Sequence, residues 1–253
     1  MSALIRLCYN YRQMKPIRNY GFTIIETMLF LAVSGVLIAG ILVGTGTSIN
    51  TQRYRDSVVS LRSFLQQQYS EVSNVRNSSM ASTDNCAGAS YSRGQTNCVI
   101  LGRYVWVKDS SSTLEVRNVI GIIPLTALTG VPSDVDLLKS YNIKVSPTTT
   151  DDSIYNLEWE ATMKTKLNTD IEFSMLILRS PASGIIRTFI NDSTSIAVGS
   201  IRTLVEPLAL LKPVTICVDS NGLLNGPKMA VMVNGNITNA SGIEMFEKDS
   251  GCV

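Results

Sequence analysis

Between Glu26 and Arg53 the chain carries no charged residue, and the residues there are mostly apolar. At about 1.5 Å per residue, roughly 20 helical residues cross the ~30 Å hydrocarbon core of a bilayer, so residues 22–49 are long enough to span one. Nothing else in the sequence constrains the fold as strongly. A charge-free apolar run of this length either becomes the centre of a large core or is taken up by a membrane or by other apolar helices. The carboxylate of Glu26 sits at its beginning. A charge in such a segment costs about 2.5–3.5 kcal/mol on insertion scales, and residues kept at that cost are usually functional. Before Glu26 every charge is positive: Arg6, Arg12, Lys15 and Arg18.

The order Gly21-Phe22-Thr23-Ile24-Ile25-Glu26, preceded by a basic segment and followed at once by the apolar run, resembles the type IV pilin and pseudopilin family with its class III prepilin signal. The resemblance covers residues 15–49. It implies a leader, 1–21, removed by a membrane-embedded prepilin peptidase that cuts between Gly21 and Phe22. It further implies N-methylation of the new Phe22 amine and pairing of Glu26 with the Phe22 amine of a neighbouring subunit. A carboxylate in hydrocarbon either takes up a proton or finds a cation, so such pairing would set the register between subunits. The expected partners are other pilin subunits, the peptidase, a membrane assembly platform and, before assembly, the lipid bilayer. The expected location is the cytoplasmic membrane as a single-pass protein, then an extracytoplasmic filament. A type IV pilus (adhesion, twitching motility or DNA uptake) and a type II secretion pseudopilus both fit. A reading of another class is a signal-anchored ectodomain that binds a surface ligand, keeps its leader and has no need of Glu26. A cleaved secretory signal fits less well, because small residues with the right spacing, Ala32 and Ser34, lie inside the apolar core.

Gly35, Gly40, Gly44 and Gly46 interrupt the apolar run, each weakening a helix by up to ~1 kcal/mol relative to alanine. They fit close helix packing in a membrane. The resemblance adds local melting on entry into a fibre, with Gly40, Gly44 and Gly46 as the candidates. Beyond the run, Tyr54, Val58, Leu61, Leu65, Val72 and Val75 recur at helical period, with Gln68 in the vacant slot. The expectation is one helix from Phe22 to Asn77, roughly 80 Å long, with residues 22–50 as the membrane or assembly half and 51–77 as an amphipathic half packed on a domain. Arg53, Arg55 and Arg62 fall off the stripe and are expected on a solvated face.

Residues 78–97 read as a loop rich in Ser, Asn, Gly and Thr. After it, Val99–Lys108, Thr113–Ile123, Tyr141–Val145, Ile154–Thr162, Ile171–Leu178, Ile185–Ile190, Val214–Val218, Met229–Val233 and Ile243–Phe246 read as strands. Pro181-Ala182-Ser183-Gly184 reads as a hairpin turn, and Ile201–Leu211 as a short helix weakened by Pro207. In Ile154–Thr162, alternation places Tyr155, Leu157, Trp159 and Ala161 on one face. The fold class is therefore α+β: a long N-terminal helix packed on an antiparallel sheet, or on two, with residues 78–253 as the β-rich head. Tyr104 and Trp106 are read as β-core residues, as is Tyr91. The loops 146–153 and 191–200 are the polar regions where recognition would sit.

Composition limits the chemistry. The chain has no histidine, which removes the commonest general base and neutral metal ligand. No P-loop or H-E-x-x-H pattern occurs, and neither an enzymatic role nor a cofactor is expected. Loss of residues 1–21 would remove four positive charges and take the formal balance from +2 to −2. Nucleic acid therefore gains no support as a partner from charge. Cys8 lies in the leader, and Cys86, Cys98, Cys217 and Cys252 remain. Four cysteines in an exported domain allow three pairings. Cys86–Cys98, closing a polar loop, and Cys217–Cys252, tying down the C-terminus, are favoured, the second also because pilins often end in a disulfide loop. The turn Asp219-Ser220-Asn221-Gly222 and the strand after it faintly resemble the end of H-type minor pseudopilins. That turn offers too few fixed oxygens for calcium and reads as a plain turn. No metal site is expected.

Overall fold

The computed structural model describes residues 21–74, 98–108, 111–122, 133–146, 152–191, 198–205, 213–222, 228–235, 237–247 and 251–252. The leader 1–20, residues 75–77, the loop 78–97 with Cys86 and Tyr91, most of the loops 146–153 and 191–200, and Pro207 lie outside them. The chain divides into two units between Thr47 and Ser48. One helix, α1 (Ile24–Ser73), runs through both.

Among the described residues nothing covers α1 in the first unit. The large apolar side chains from Phe22 to Val43 are each 52% to 78% exposed. This is the one helix among the described residues long and apolar enough to cross a membrane. Gly35, Gly40, Gly44 and Gly46 face open space, so no tight contact among the described residues explains them.

The second unit is α+β, with α1 from Ser48 onward packed on two antiparallel sheets. The strands are β1 (Cys98–Lys108), β2 (Thr113–Ile122), β3 (Lys144–Val145), β4 (Ser153–Asn156), β5 (Thr162–Lys164), β6 (Ser174–Arg179), β7 (Ile186–Asn191), β8 (Val214–Asp219), β9 (Met229–Val233) and β10 (Ile243–Phe246). One sheet has the order β3-β2-β1-β6-β7, with β4 also on β2, and the other has the order β10-β9-β8-β5. A helix, α2 (Asp134–Ser140), precedes β3.

Period-two alternation in β1 and β6 explains the layering. Val105, Met175 and Ile177 join Val58, Leu61 and Leu65 of α1 and Ile216, Val218 and Val231 of the smaller sheet in one core. On the opposite face, Tyr104, Trp106, Leu176 and Leu178 pack with Leu138 of α2 and with Ile201 and Leu204. The larger sheet is thus buried on both faces, and Tyr104 and Trp106 are core residues stacked at 4.9 Å. The β1–β2 register shifts between Ile100 and Gly102. Gly102 is obligatory there, because a Cβ would lie 1.8 Å from the Ile177 carbonyl oxygen.

Two expectations need correction. The segment 154–162 is not one strand: β4 ends at Asn156, a 3-10 turn occupies Glu158–Glu160, and β5 begins at Thr162. Leu157 and Ala161 turn inward, but Trp159 points out, 45% exposed, because the turn has left-handed backbone at Trp159 and Glu160. The segment 141–145 holds a strand of two residues only, and the helix before it was not anticipated. The Ser133 Oγ accepts from the Asp136 N–H at its start, a cap that stabilises a helix too short to show a periodicity. The short helix expected over Ile201–Leu211 is a 3-10 helix that begins earlier, Val198–Leu204, and residues 206–211 lie outside the described residues. The arginines of α1 lie off the stripe as expected, with Arg53 and Arg55 exposed and Arg62 half-buried, and their heads also reach the domain. Arg55 pairs with Glu247 at 2.6 Å, Arg62 donates to the Ile243 carbonyl at 3.3 Å, and Arg53 lies over Trp159. Long arginine stems let the charged heads reach over the edge of the apolar stripe.

Candidate functional site: the N-terminal segment and its attachment

Thr23 precedes the first helical residue of α1, and its Oγ1 accepts the backbone N–H of Glu26 at 3.3 Å. Thr-x-x-Glu at a helix start is the pattern of a capping box, in which a hydroxyl and a carboxylate satisfy orphan amide groups. Glu26 is the acidic residue of the first turn, where the helix dipole favours a negative charge. The motif therefore has a local structural job, which the sequence reading missed although its four-residue signature was visible. Gly21 and Phe22 lie just outside the helix, and both are exposed. A peptide bond there is sterically open, with nothing within 4 Å of the position a Gly21 side chain would take.

In the second unit, α1 is fastened by polar contacts as well as by its apolar stripe. The Tyr54 hydroxyl donates to the Val218 carbonyl at 2.6 Å and accepts from the Met229 N–H at 2.7 Å, joining the helix to the adjacent ends of β8 and β9. Burial, set against the hydrogen bond from Met229, leaves its phenol titrating above the usual range. Gln66 donates to the carbonyls of Ala240 and Ile243 at 3.2 and 3.4 Å. Gln68, in the polar slot of the stripe, accepts from Arg103 at 3.0 Å. Tyr69 and Thr188 share a buried hydrogen bond of 2.9 Å. These bonds use groups from β1, β7, β8, β9, β10 and the 3-10 turn before β10, so the helix is locked at many heights.

Cys217 of β8 is bonded to Cys252, with Cα atoms 5.9 Å apart. Cys98 opens β1, but a link to Cys86 lies outside the described residues. The Asp219 carboxylate is satisfied by Lys228 at 2.6 Å and by the Asn221 N–H at 2.7 Å. Lys228 is the main cause of its lowered pKa. An ammonium thus stands where a metal ion would have to bind that turn. Among the described residues no group of three or more potential ligands could hold a metal.

No family model, no curated protein and no solved structure matches the chain. A long N-terminal apolar helix followed by antiparallel sheet is compatible with a pilin-like fold, and the helix suggests a single-pass membrane anchor.

Proposed function

We propose that the protein is a pilin-like structural subunit, matured by cleavage between Gly21 and Phe22 and assembled through its N-terminal helix into an extracytoplasmic filament. The observation that carries this reading is the exposed apolar surface of residues 22–43 with a carboxylate in its first helical turn. Such a surface needs an apolar surrounding: a bilayer for the single subunit, neighbouring helices in a filament. Glu26 supplies the polar specificity that apolar packing lacks, and a neighbouring Phe22 amine is the cation that suits it. The subunit acts by assembly rather than catalysis. The host system is either a type IV pilus or a type II secretion pseudopilus.

The first test is the mass of the N-terminus recovered from membranes and sheared surface material. A chain beginning at methylated Phe22 is expected. A chain retaining residues 1–21 would point to a signal-anchored ectodomain instead. Gly21→Val is expected to block shortening. The Thr-x-x-Glu pattern at the helix start makes a second test sharper. Glu26→Gln keeps a capping-competent side chain and removes the charge, whereas Glu26→Ala removes both. Both variants are expected to be cleaved and to enter filaments at least about tenfold less efficiently, the effect of losing roughly 1.4 kcal/mol of pairing. Normal assembly of Glu26→Gln would reduce Glu26 to a helix cap.

A further inference from the structure

Trp159 is held in a way that ordinary packing does not require. Leu157 and Ala161, two residues to either side, are only 7% and 2% exposed, and both are tied by backbone hydrogen bonds, Leu157 to Ser112 and Ala161 to Glu158. Between them the chain makes a three-residue excursion in which Trp159 (φ 58°, ψ 37°) and Glu160 (φ 57°) are both left-handed. That region is rarely entered by bulky residues, and two in succession is a strained arrangement kept only where the surroundings enforce it. The strain does not bury the indole. It delivers the ring to the surface, under the guanidinium of Arg53, which lies 4.7 Å from its centroid.

The position of Arg53 gives this pair its meaning. It is the first charge after the apolar run. One helical turn earlier stands Ile49, the last large apolar residue of that run and still 46% exposed. Tryptophan and arginine are the residues that suit a membrane–water interface: the indole rests among carbonyls and headgroups, and the guanidinium reaches phosphate. We infer that Trp159 and Arg53 form an interfacial anchor that seats this edge of the β-rich domain in the headgroup layer of a phospholipid bilayer. The inference rests on the proposal that the apolar half of α1 is membrane-inserted before assembly.

The local charge says what kind of contact this is. Glu158 and Glu160 flank the indole and are exposed, and Arg55 is neutralised by Glu247. The edge is therefore not a basic patch, and anionic lipid is not what it reads. The chemistry is that of an amphipathic pair sensitive to depth, beside two carboxylates that disfavour anionic headgroups.

The experiment uses the full chain reconstituted in phosphatidylcholine vesicles. Trp106 is buried, so the difference in fluorescence between the unaltered chain and Trp159→Phe isolates the exposed indole without disturbing the core. Flotation of the vesicles reports membrane insertion separately. The Trp159 component is expected to shift to shorter wavelength, to be shielded about threefold from aqueous iodide, and to be quenched more by lipid brominated near the glycerol than near the chain end, as for an indole at headgroup depth. Replacing half the lipid with phosphatidylglycerol should weaken rather than strengthen this seating, because Glu158 and Glu160 stand beside the indole. Arg53→Ala should restore iodide access. Protein that floats with the vesicles while Trp159 remains open to iodide and untouched by brominated lipid would overturn the anchor and leave the membrane helix standing. Protein that fails to float would overturn both.

Discussion

At the scale of single residues, the most demanding positions are those where a backbone passes close to another. Gly102 is one: its missing side chain lets β1 bulge against the Ile177 carbonyl. Gly102→Ala should destabilise the fold by about 3 kcal/mol, as overpacking and lost strand pairing combine, seen as a lowered urea midpoint. Glu115 is demanding for a different reason. It is 4% exposed and flanked by Lys108 and Arg117, each at 2.8 Å. Burial pushes its carboxyl up, but the hydrogen bonds from Lys108 and Arg117 together outweigh burial and leave it below the usual range. A carboxylate lowered in the folded state contributes stability above its unfolded pKa and loses it as pH falls through the folded value. Asp134, hydrogen-bonded by Ser183 and Ser180, and Asp219, held by Lys228, act with the same sign. Stability should be level near neutrality and fall below about pH 4. Glu115→Gln should cost about 2 kcal/mol at pH 7 and flatten the acid limb, as measured by thermal unfolding across pH. An acid limb of unchanged steepness would remove Glu115 from this account.

At the scale of elements, α1 is two helices in chemical terms. From Ser48 onward it earns its place by packing: Val58, Leu61 and Leu65 are fully buried between the sheets. Leu61→Ala should cost about 3–4 kcal/mol through lost transfer energy and the cavity left behind. Tyr54→Phe keeps the ring and deletes two hydrogen bonds, orphaning the Val218 carbonyl and the Met229 N–H. Its expected cost is about 2 kcal/mol, with faster hydrogen exchange at Met229 as the local signature. The apolar stripe was readable from sequence because its period survives without knowledge of the partners. The exposure of the arginines was readable too, but not their partners, Glu247, the Ile243 carbonyl and Trp159, which are distant in sequence. The broken strand at 154–162 was misread for a related reason. Alternation continues through Trp159, yet the left-handed turn that reverses its direction leaves no pattern of glycine or proline.

At the scale of the whole molecule, the Cys217–Cys252 bond attaches the C-terminal segment to β8. The bridged residues are 35 apart in sequence, a closure that contributes about 3–4 kcal/mol by restricting the unfolded chain. Cys252→Ser should lower the thermal midpoint by several degrees, about 2–4 °C per kcal/mol for a domain of this size, and should remove the component of stability sensitive to reductant that this bond supplies. An unchanged midpoint would mean that the C-terminal segment contributes nothing through its bond. The assembly reading belongs to this scale too. Under the proposed assembly, the exposed apolar surface of the first unit would join other molecules, while the many-point fastening of α1 in the second would keep the domain folded.

The sequence by itself determined the features whose causes are local or periodic. These are the charge-free run with Glu26 at its head, the helical stripe from Tyr54, most strand positions, the Pro181–Gly184 hairpin and the α+β class. Each follows from neighbours along the chain, where the repeat of a helix or strand fixes which side chains share a face. Only the tertiary structure decided that the strands divide into two sheets, that α1 lies against both, and that the larger sheet is covered on its second face by α2 and the 3-10 turns. It also decided that Tyr54 bridges β8 and β9, that Lys228 occupies the Asp219 turn, and that Trp159 is carried outward to Arg53. Those outcomes depend on groups far apart in the chain, and they exist only once burial of one face has fixed where every other face must point.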